Sequence, residues 1–187
     1  ENSLLSFPAL ASPVVSTSSG FSDVDNYVGA SENGNSVYRA TGPQGLGIYA
    51  NGSSAAIASS TDGFSSYSRR PGINDQGTVG FWASGSSGEG IFIKLPGEST
   101  PRRAGDIGPM PGLPCGETPA TASNFLKVAI NELNQVAYVG TSDASIYTTT
   151  LGRSRRLIGQ GDVISLTTNG NTTVSYTHLR AHETEEN

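Results

Sequence analysis

Shifting this chain by 43 residues superimposes its first third on its second, and that self-similarity limits what it can fold into. Ser16, Gly20, Phe21 and Ser22 fall on Ser59, Gly63, Phe64 and Ser65. Gly34, Ala40, Gly42, Gly45, Gly47 and Ile48 fall on Gly77, Ala83, Gly85, Gly88, Gly90 and Ile91, while Tyr38 and Tyr49 fall on Phe81 and Phe92. A third copy follows at a longer offset. Ile130, Asn131, Val136 and Tyr138 answer Ile73, Asn74, Val79 and Phe81; Ile146-Tyr147 answers Ile91-Phe92, and Gly161-Asp162 answers Gly105-Asp106. The extra length sits in a Pro/Gly-rich insertion, 109–124. A unit this short cannot enclose a core alone, so each copy must bury its apolar surface against the next.

One copy shows what the unit is. In Asn74-Asp75-Gln76-Gly77 a tight turn opens on Asn and ends on a glycine that tolerates positive φ. In the third copy that glycine is replaced by Asn134, the next most tolerant residue for the left-handed region. The turn feeds Val79-Gly80-Phe81-Trp82-Ala83, apolar on both faces rather than alternating, as a strand in a sheet covered on both sides must be. A Gly/Ser hairpin, 84–88, leads to Gly90-Ile91-Phe92-Ile93, and a Pro/Gly turn leads to a further strand ending near Ala104. No window carries a long apolar stripe at helical spacing. Short apolar runs bounded by Gly, Asn, Asp and Pro recur instead. Their regular Ile, Val, Phe and Tyr content argues against disorder, which the Gly/Ser-rich composition would otherwise suggest.

These features predict an all-β chain of about three propeller-like blades plus a partial one, forming an open arc, with a β-sandwich as the alternative. The boundaries expected are a partial repeat or signal-peptide remnant over 1–19, repeat 1 over 20–62 and repeat 2 over 63–108. The insertion follows over 109–124, then repeat 3 and the start of the next over 125–173. Strands are expected near 35–40, 78–83 and 135–140, each paired in a hairpin with 46–50, 90–95 and 144–149.

The motif Ile73-Asn74-Asp75-Gln76-Gly77-Thr78-Val79-Gly80-Phe81, with Gly90-Ile91-Phe92 and Gly105-Asp106, resembles bacterial exported tandem-repeat proteins with the pattern Asn-x-x-Gly-x-Val-Ala-Phe. Its order is also similar to the blades of Tol-system periplasmic propellers. The first copy departs from the pattern, with Ser31 in place of Asn, and the third lacks the Gly. The resemblance implies blade architecture and export to the periplasm, cell surface or medium. It carries no catalytic residue onto this chain.

The last fourteen residues, 174–187, resemble the translated read-through of a sequencing-library adapter. Both histidines, His178 and His182, lie there, four apart with Glu183 beside them; that metal-ligand spacing is therefore set aside. The opening on Glu1 and this tail together suggest a fragment of a longer reading frame. Without the tail's Arg180, Glu183, Glu185 and Glu186 the net charge of −5 becomes −3, which leaves no basic stripe for nucleic acid. No membrane span is expected.

With no histidine outside the tail, Ser-His-Asp and Cys-His arrangements cannot be built. Carboxylate chemistry of the glycosidase kind would fall to Asp106 and Asp162, which recur at one position of the repeat, although a repeated Asp more often caps a turn. Asp62 and Asp143 carry the same pair of readings. No calcium-loop spacing occurs, and neither a metal nor an organic cofactor is expected. Cys115, alone in the insertion, has no internal disulfide partner. Trp82 reads either as a carbohydrate-stacking platform or as packing between blades, where Arg39 and Val139 stand in the other copies. The pairs Arg69-Arg70, Arg102-Arg103 and Arg155-Arg156 read as solvated edges or as a ring for an anionic ligand. Arg69, Arg70, Trp82, Asp106 and Asp162 are thus the candidate ligand contacts. The function expected is a non-catalytic exported or cell-surface protein that binds or displays, with a surface glycan or protein as partner. The alternative is a fragment of an exported, carbohydrate-active propeller enzyme using carboxylates.

Overall fold

The computed structural model describes residues 15–86, 88–106, 127–140, 145–150, 153–159, 163–168 and 171–176. Every regular element among them is a β-strand or a single 3-10 turn. The first sheet is an antiparallel meander of β1 (Asp23–Ala30), β2 (Ser36–Gly42), β3 (Gly45–Ala50) and β4 (Ala58–Ser59). The second holds β5 (Phe64–Tyr67), β6 (Gly72–Ile73), β7 (Val79–Gly85), β8 (Gly88–Lys94) and β9 (Arg102–Asp106). The third holds β10 (Val128–Ile130), β11 (Val136–Gly140), β12 (Ser145–Thr150) and β13 (Arg153–Ile158), and a separate hairpin pairs β14 (Val163–Thr168) with β15 (Asn171–Tyr176). The chain is therefore all-β, built from repeated antiparallel sheets, and the hairpins expected from the repeat are present at β2–β3, β7–β8 and β11–β12.

The repeat holds down to backbone detail. The 3-10 turns Thr17–Ser19 and Ser60–Asp62 are 43 residues apart, each preceded by an extended serine and followed by a left-handed glycine, Gly20 at φ 83° and Gly63 at φ 84°. The aromatic residue after each turn, Phe21 or Phe64, meets the cross-strand pair of its own sheet edge-on. Phe21 lies 5.0 Å from Tyr49, and Phe64 lies 4.7 Å from Phe92. The pairs themselves are nearly parallel rings in all three sheets: Tyr38–Tyr49, Phe81–Phe92 and Tyr138–Tyr147, at 6.4, 5.9 and 5.4 Å. Such contacts add to the burial of large rings.

Because strand side chains alternate, each sheet has two faces, and the second sheet is covered on both. Val79, Phe81, Ala83 and Phe92 pack with Val37, Ile48 and Ala50 of the first sheet. Ile91 and Ile93 point the other way, into a cluster with Val128, Val136, Tyr138 and Tyr147 of the third. This is the physical reason for the continuous apolar run 79–83. Gly72 marks how closely the second and third sheets approach: a Cβ there would lie 2.7 Å from the Val128 carbonyl oxygen.

One difference between the repeats and one difference from expectation have simple causes. The long first strand of repeat 1, bulged between Val24 and Val28, becomes two strands in repeat 2. Pro71 stands in the gap, and a residue without an N–H cannot continue the ladder. At the other end, Val174–Tyr176, expected outside the fold, complete β15 and pair with Val163–Ser165 of β14. Thr172, Thr173, Val174 and Tyr176 are strong strand formers, and the sequence Asn-Gly at 169–170 favours a two-residue hairpin connection, so pairing follows from local preference whatever the origin of the segment. The insertion 109–124 with Cys115, and residues 177–187 with both histidines, lie outside the described residues.

Candidate functional site

Three equivalent turns stack along one end of the sheets, and in the second and third an asparagine side chain closes the turn. In the second, the Gly77 N–H donates to the Asn74 carbonyl at 3.0 Å and the Thr78 N–H donates to Asn74 Oδ1 at 2.8 Å. In the third, Asn134 and Gln135 donate in the same way to Asn131. Gly34, Gly77 and Asn134 all take positive φ, 80°, 81° and 59°, so the substitution seen in sequence preserves the geometry.

The turns are also bonded to one another. Asn74 Nδ2 donates to the Asn131 carbonyl at 3.0 Å and to Asn134 Oδ1 at 2.9 Å; Gln76 Nε2 donates to the Glu132 carbonyl, and the Asp75 N–H donates to Glu132 Oε1. One repeat earlier, the Asn33 N–H donates to Asp75 Oδ1. Ser31 has no amide to offer, and Asn35 takes over by donating to the Asn74 and Asp75 carbonyls. Donors therefore run from each turn into the acceptors of the next. The motif's asparagine thus has two jobs, closing its own turn and joining the following one.

The other polar candidates divide between structure and solvent. Asp62 Oδ2 accepts from the Ser59 N–H at 2.9 Å in a capping box, which settles Asp62 as a cap. Asp25 is ion-paired with Arg39. Trp82 is half-buried against the cluster between the second and third sheets, and its Nε1 donates to Glu89 Oε1 at 2.9 Å. That is the packing role rather than an open stacking platform. Arg103 lies over the Phe92 ring at 5.1 Å and donates to the Glu89 carbonyl, and Arg156 donates to Ser145 Oγ. Asp106 ends β9 opposite Gly90, while Asp143 and Asp162 lie outside the described residues. Two tyrosine hydroxyls, Tyr38 and Tyr67, are held neutral by burial; Tyr67 is pushed up to about 12 by desolvation first and by Asp62 and Tyr49 after it.

What stays open to a ligand is the break between β5 and β6. Arg69 and Arg70 are both exposed there, and the Arg70 guanidinium sits 5.7 Å from the Tyr27 ring centroid of the first sheet, within cation–π range. The Arg70 carbonyl accepts from the Val128 N–H at 3.0 Å, which brings the backbone of exposed Lys127 alongside. Exposed Arg69, Arg70 and Lys127, from two repeats, lie along this edge, and Arg70 meets the Tyr27 ring. The structure does not bring Trp82 or Asp106 to it, and Arg102-Arg103 and Arg155-Arg156 lie on the opposite edge strands, β9 and β13. Tyr27 and Lys127 were not singled out from sequence; only the fold places residue 27 beside residue 70.

No group of three or more potential metal ligands occurs among the described residues. No described helix is long and apolar enough to cross a membrane. Comparison with protein-family models, curated proteins and solved structures returns no match.

Proposed function

We propose that this chain is a non-catalytic, propeller-blade-like repeat module of an exported or cell-surface protein, and that its role is binding or display. The observation that carries this reading is the allocation of its polar residues. Asn74, Asn131 and Asp62 build turns, and Asp25, Glu89 and Glu132 hold neighbouring strands and turns together. These groups are engaged within the fold, whereas Arg69, Arg70 and Lys127 are exposed and Arg70 lies over Tyr27. Guanidinium groups recognise carboxylates, sulfates and phosphates through paired hydrogen bonds, and an aromatic ring next to them suits the apolar face of a sugar. An anionic surface glycan is the partner class this edge fits best.

The test is retention of the 187-residue chain on an immobilised acidic polysaccharide across a salt gradient. The Arg69→Ala/Arg70→Ala double variant should elute at distinctly lower salt, while Arg102→Ala, which removes a charge on the other edge, should elute as the parent does. Equal shifts for the two variants would show attraction to overall charge only and would overturn the assignment of this edge.

A further inference from the structure

The two junctions between sheets are one interface made twice, and the outermost sheets each carry one unmatched half of it. Residues on equivalent positions make this visible. Val28 on the outer face of the first sheet is 54% exposed, whereas its counterparts Pro71 and Val128 are buried beneath the preceding sheet. On the far face of the third sheet, Leu157 is 56% exposed where Ala104 is buried under the next sheet, and Val139 is 38% exposed where Trp82 packs into the core. Leu133 follows the same rule in the turn: it is 79% exposed where Gln76 is bonded to the next turn. These are four of the five large exposed hydrophobic side chains among the described residues, so the solvent-facing apolar surface concentrates on the two ends.

We infer that these two faces are halves of a heterologous interface through which copies of this chain associate head to tail, the third sheet of one copy covering the first sheet of another. The partner chemistry is fixed by the junctions already formed. The third sheet's far face needs a sheet with an apolar residue on its edge strand and an acid in the second position of its turn. The first sheet has both, in exposed Val28 and in exposed Glu32 where Asp75 and Glu132 accept from the preceding turn; its own pair Tyr38–Tyr49 is already buried against Phe21. Both existing junctions join unlike faces, and the turn donors run in one direction only, so two like faces do not match. The contact is therefore directional rather than two-fold symmetric.

Light scattering and sedimentation of the full chain over a concentration series test this. Parent protein should gain mass with concentration. A third-sheet block, Val139→Lys/Leu157→Glu, and a first-sheet block, Val28→Lys/Glu32→Lys, should each be monomeric, because each removes a half that every self-contact needs. Mixed together, they should form a one-to-one dimer and stop, since one intact junction remains between them. Circular dichroism and urea midpoints establish that each is folded; if the double variants do not fold, Leu133→Glu, which sets a like charge against Glu32, and Val28→Lys replace them in the same mixing design. A parent monomeric at all concentrations, a blocked variant that still self-associates, or a mixture that yields no dimer would each overturn the inference.

Discussion

Replacing Asn74 by Asp is nearly isosteric, and it separates the two jobs of the motif asparagine. The Oδ1 that closes the turn on Thr78 is kept, while the amide that bonds Asn131 and Asn134 is lost. Asn74 is 2% exposed, so water does not replace the missing donors. Two hydrogen bonds at roughly 1 kcal/mol each, plus the penalty of a buried carboxylate facing two acceptor oxygens, place the loss at about 3 kcal/mol at neutral pH. The variant also has a pH signature that a packing defect lacks. Burial and the two acceptors disfavour the charged form, so the folded pKa of the new carboxyl lies above its unfolded value of about 3.9. A protonated acid donates to one of the acceptors, so the deficit relative to the parent is smallest below pH ~4. It grows as pH rises towards the folded pKa, by about 1.4 kcal/mol for each unit of separation, and then levels off. Urea unfolding of both proteins at several pH values from acid to neutral measures this directly. A deficit below about 1 kcal/mol at pH 7 would mean that a single net hydrogen bond suffices to account for it. A deficit that does not change with pH would show that the amide does not bridge the turns.

Other outcomes follow from the same structure. Phe81→Ala should lose about 3–5 kcal/mol in urea unfolding, since the ring is fully buried between sheets. Ser31→Asn should stabilise by about 0.5–1 kcal/mol, because Ser31 Oγ is buried without a partner in the place where Asn74 and Asn131 close their turns. Asp62→Ala should cost about 0.5–2 kcal/mol through loss of the capping box. Tyr67, raised to about 12, contributes stability that is complete below pH ~10 and is lost as pH climbs through its folded value. Tyr67→Phe should therefore flatten the alkaline arm of the stability curve, and ultraviolet titration should find the variant short of one of the parent's late-ionising tyrosines, with Tyr38 still among them.

The repeat made much of the fold legible in advance. Matching positions 43 apart located the hairpins, and the doubly apolar run 79–83 announced a sheet covered on both faces. Asn134 could be assigned to the left-handed region because a turn ending in Gly tolerates Asn there. Relations between repeats were harder to foresee. That Asn74 closes a turn is local and readable; that its amide crosses to residue 131 depends on how sheets stack, which no local pattern encodes. The same holds for Arg70 over Tyr27, and for the Arg39–Asp25 pair that replaces Trp82's packing in the first repeat. The composition marked the arginine pairs equally, and only their strands distinguish a free edge from one spent on neighbours.

The placement of the second sheet between the other two has a consequence for how the molecule opens. Its strands Val79–Gly85 and Gly88–Lys94 have neighbours on both faces, whereas the first and third sheets each share one. Peeling either outer sheet away breaks a single junction; disordering the middle one breaks both together. Amide exchange should accordingly be slowest in the middle sheet and faster on either side, with outer sheets exchanging through partial openings that leave the centre intact. The molecule is in this sense a short one-dimensional lattice, in which cooperativity is set by the number of neighbours a unit has rather than by its own composition.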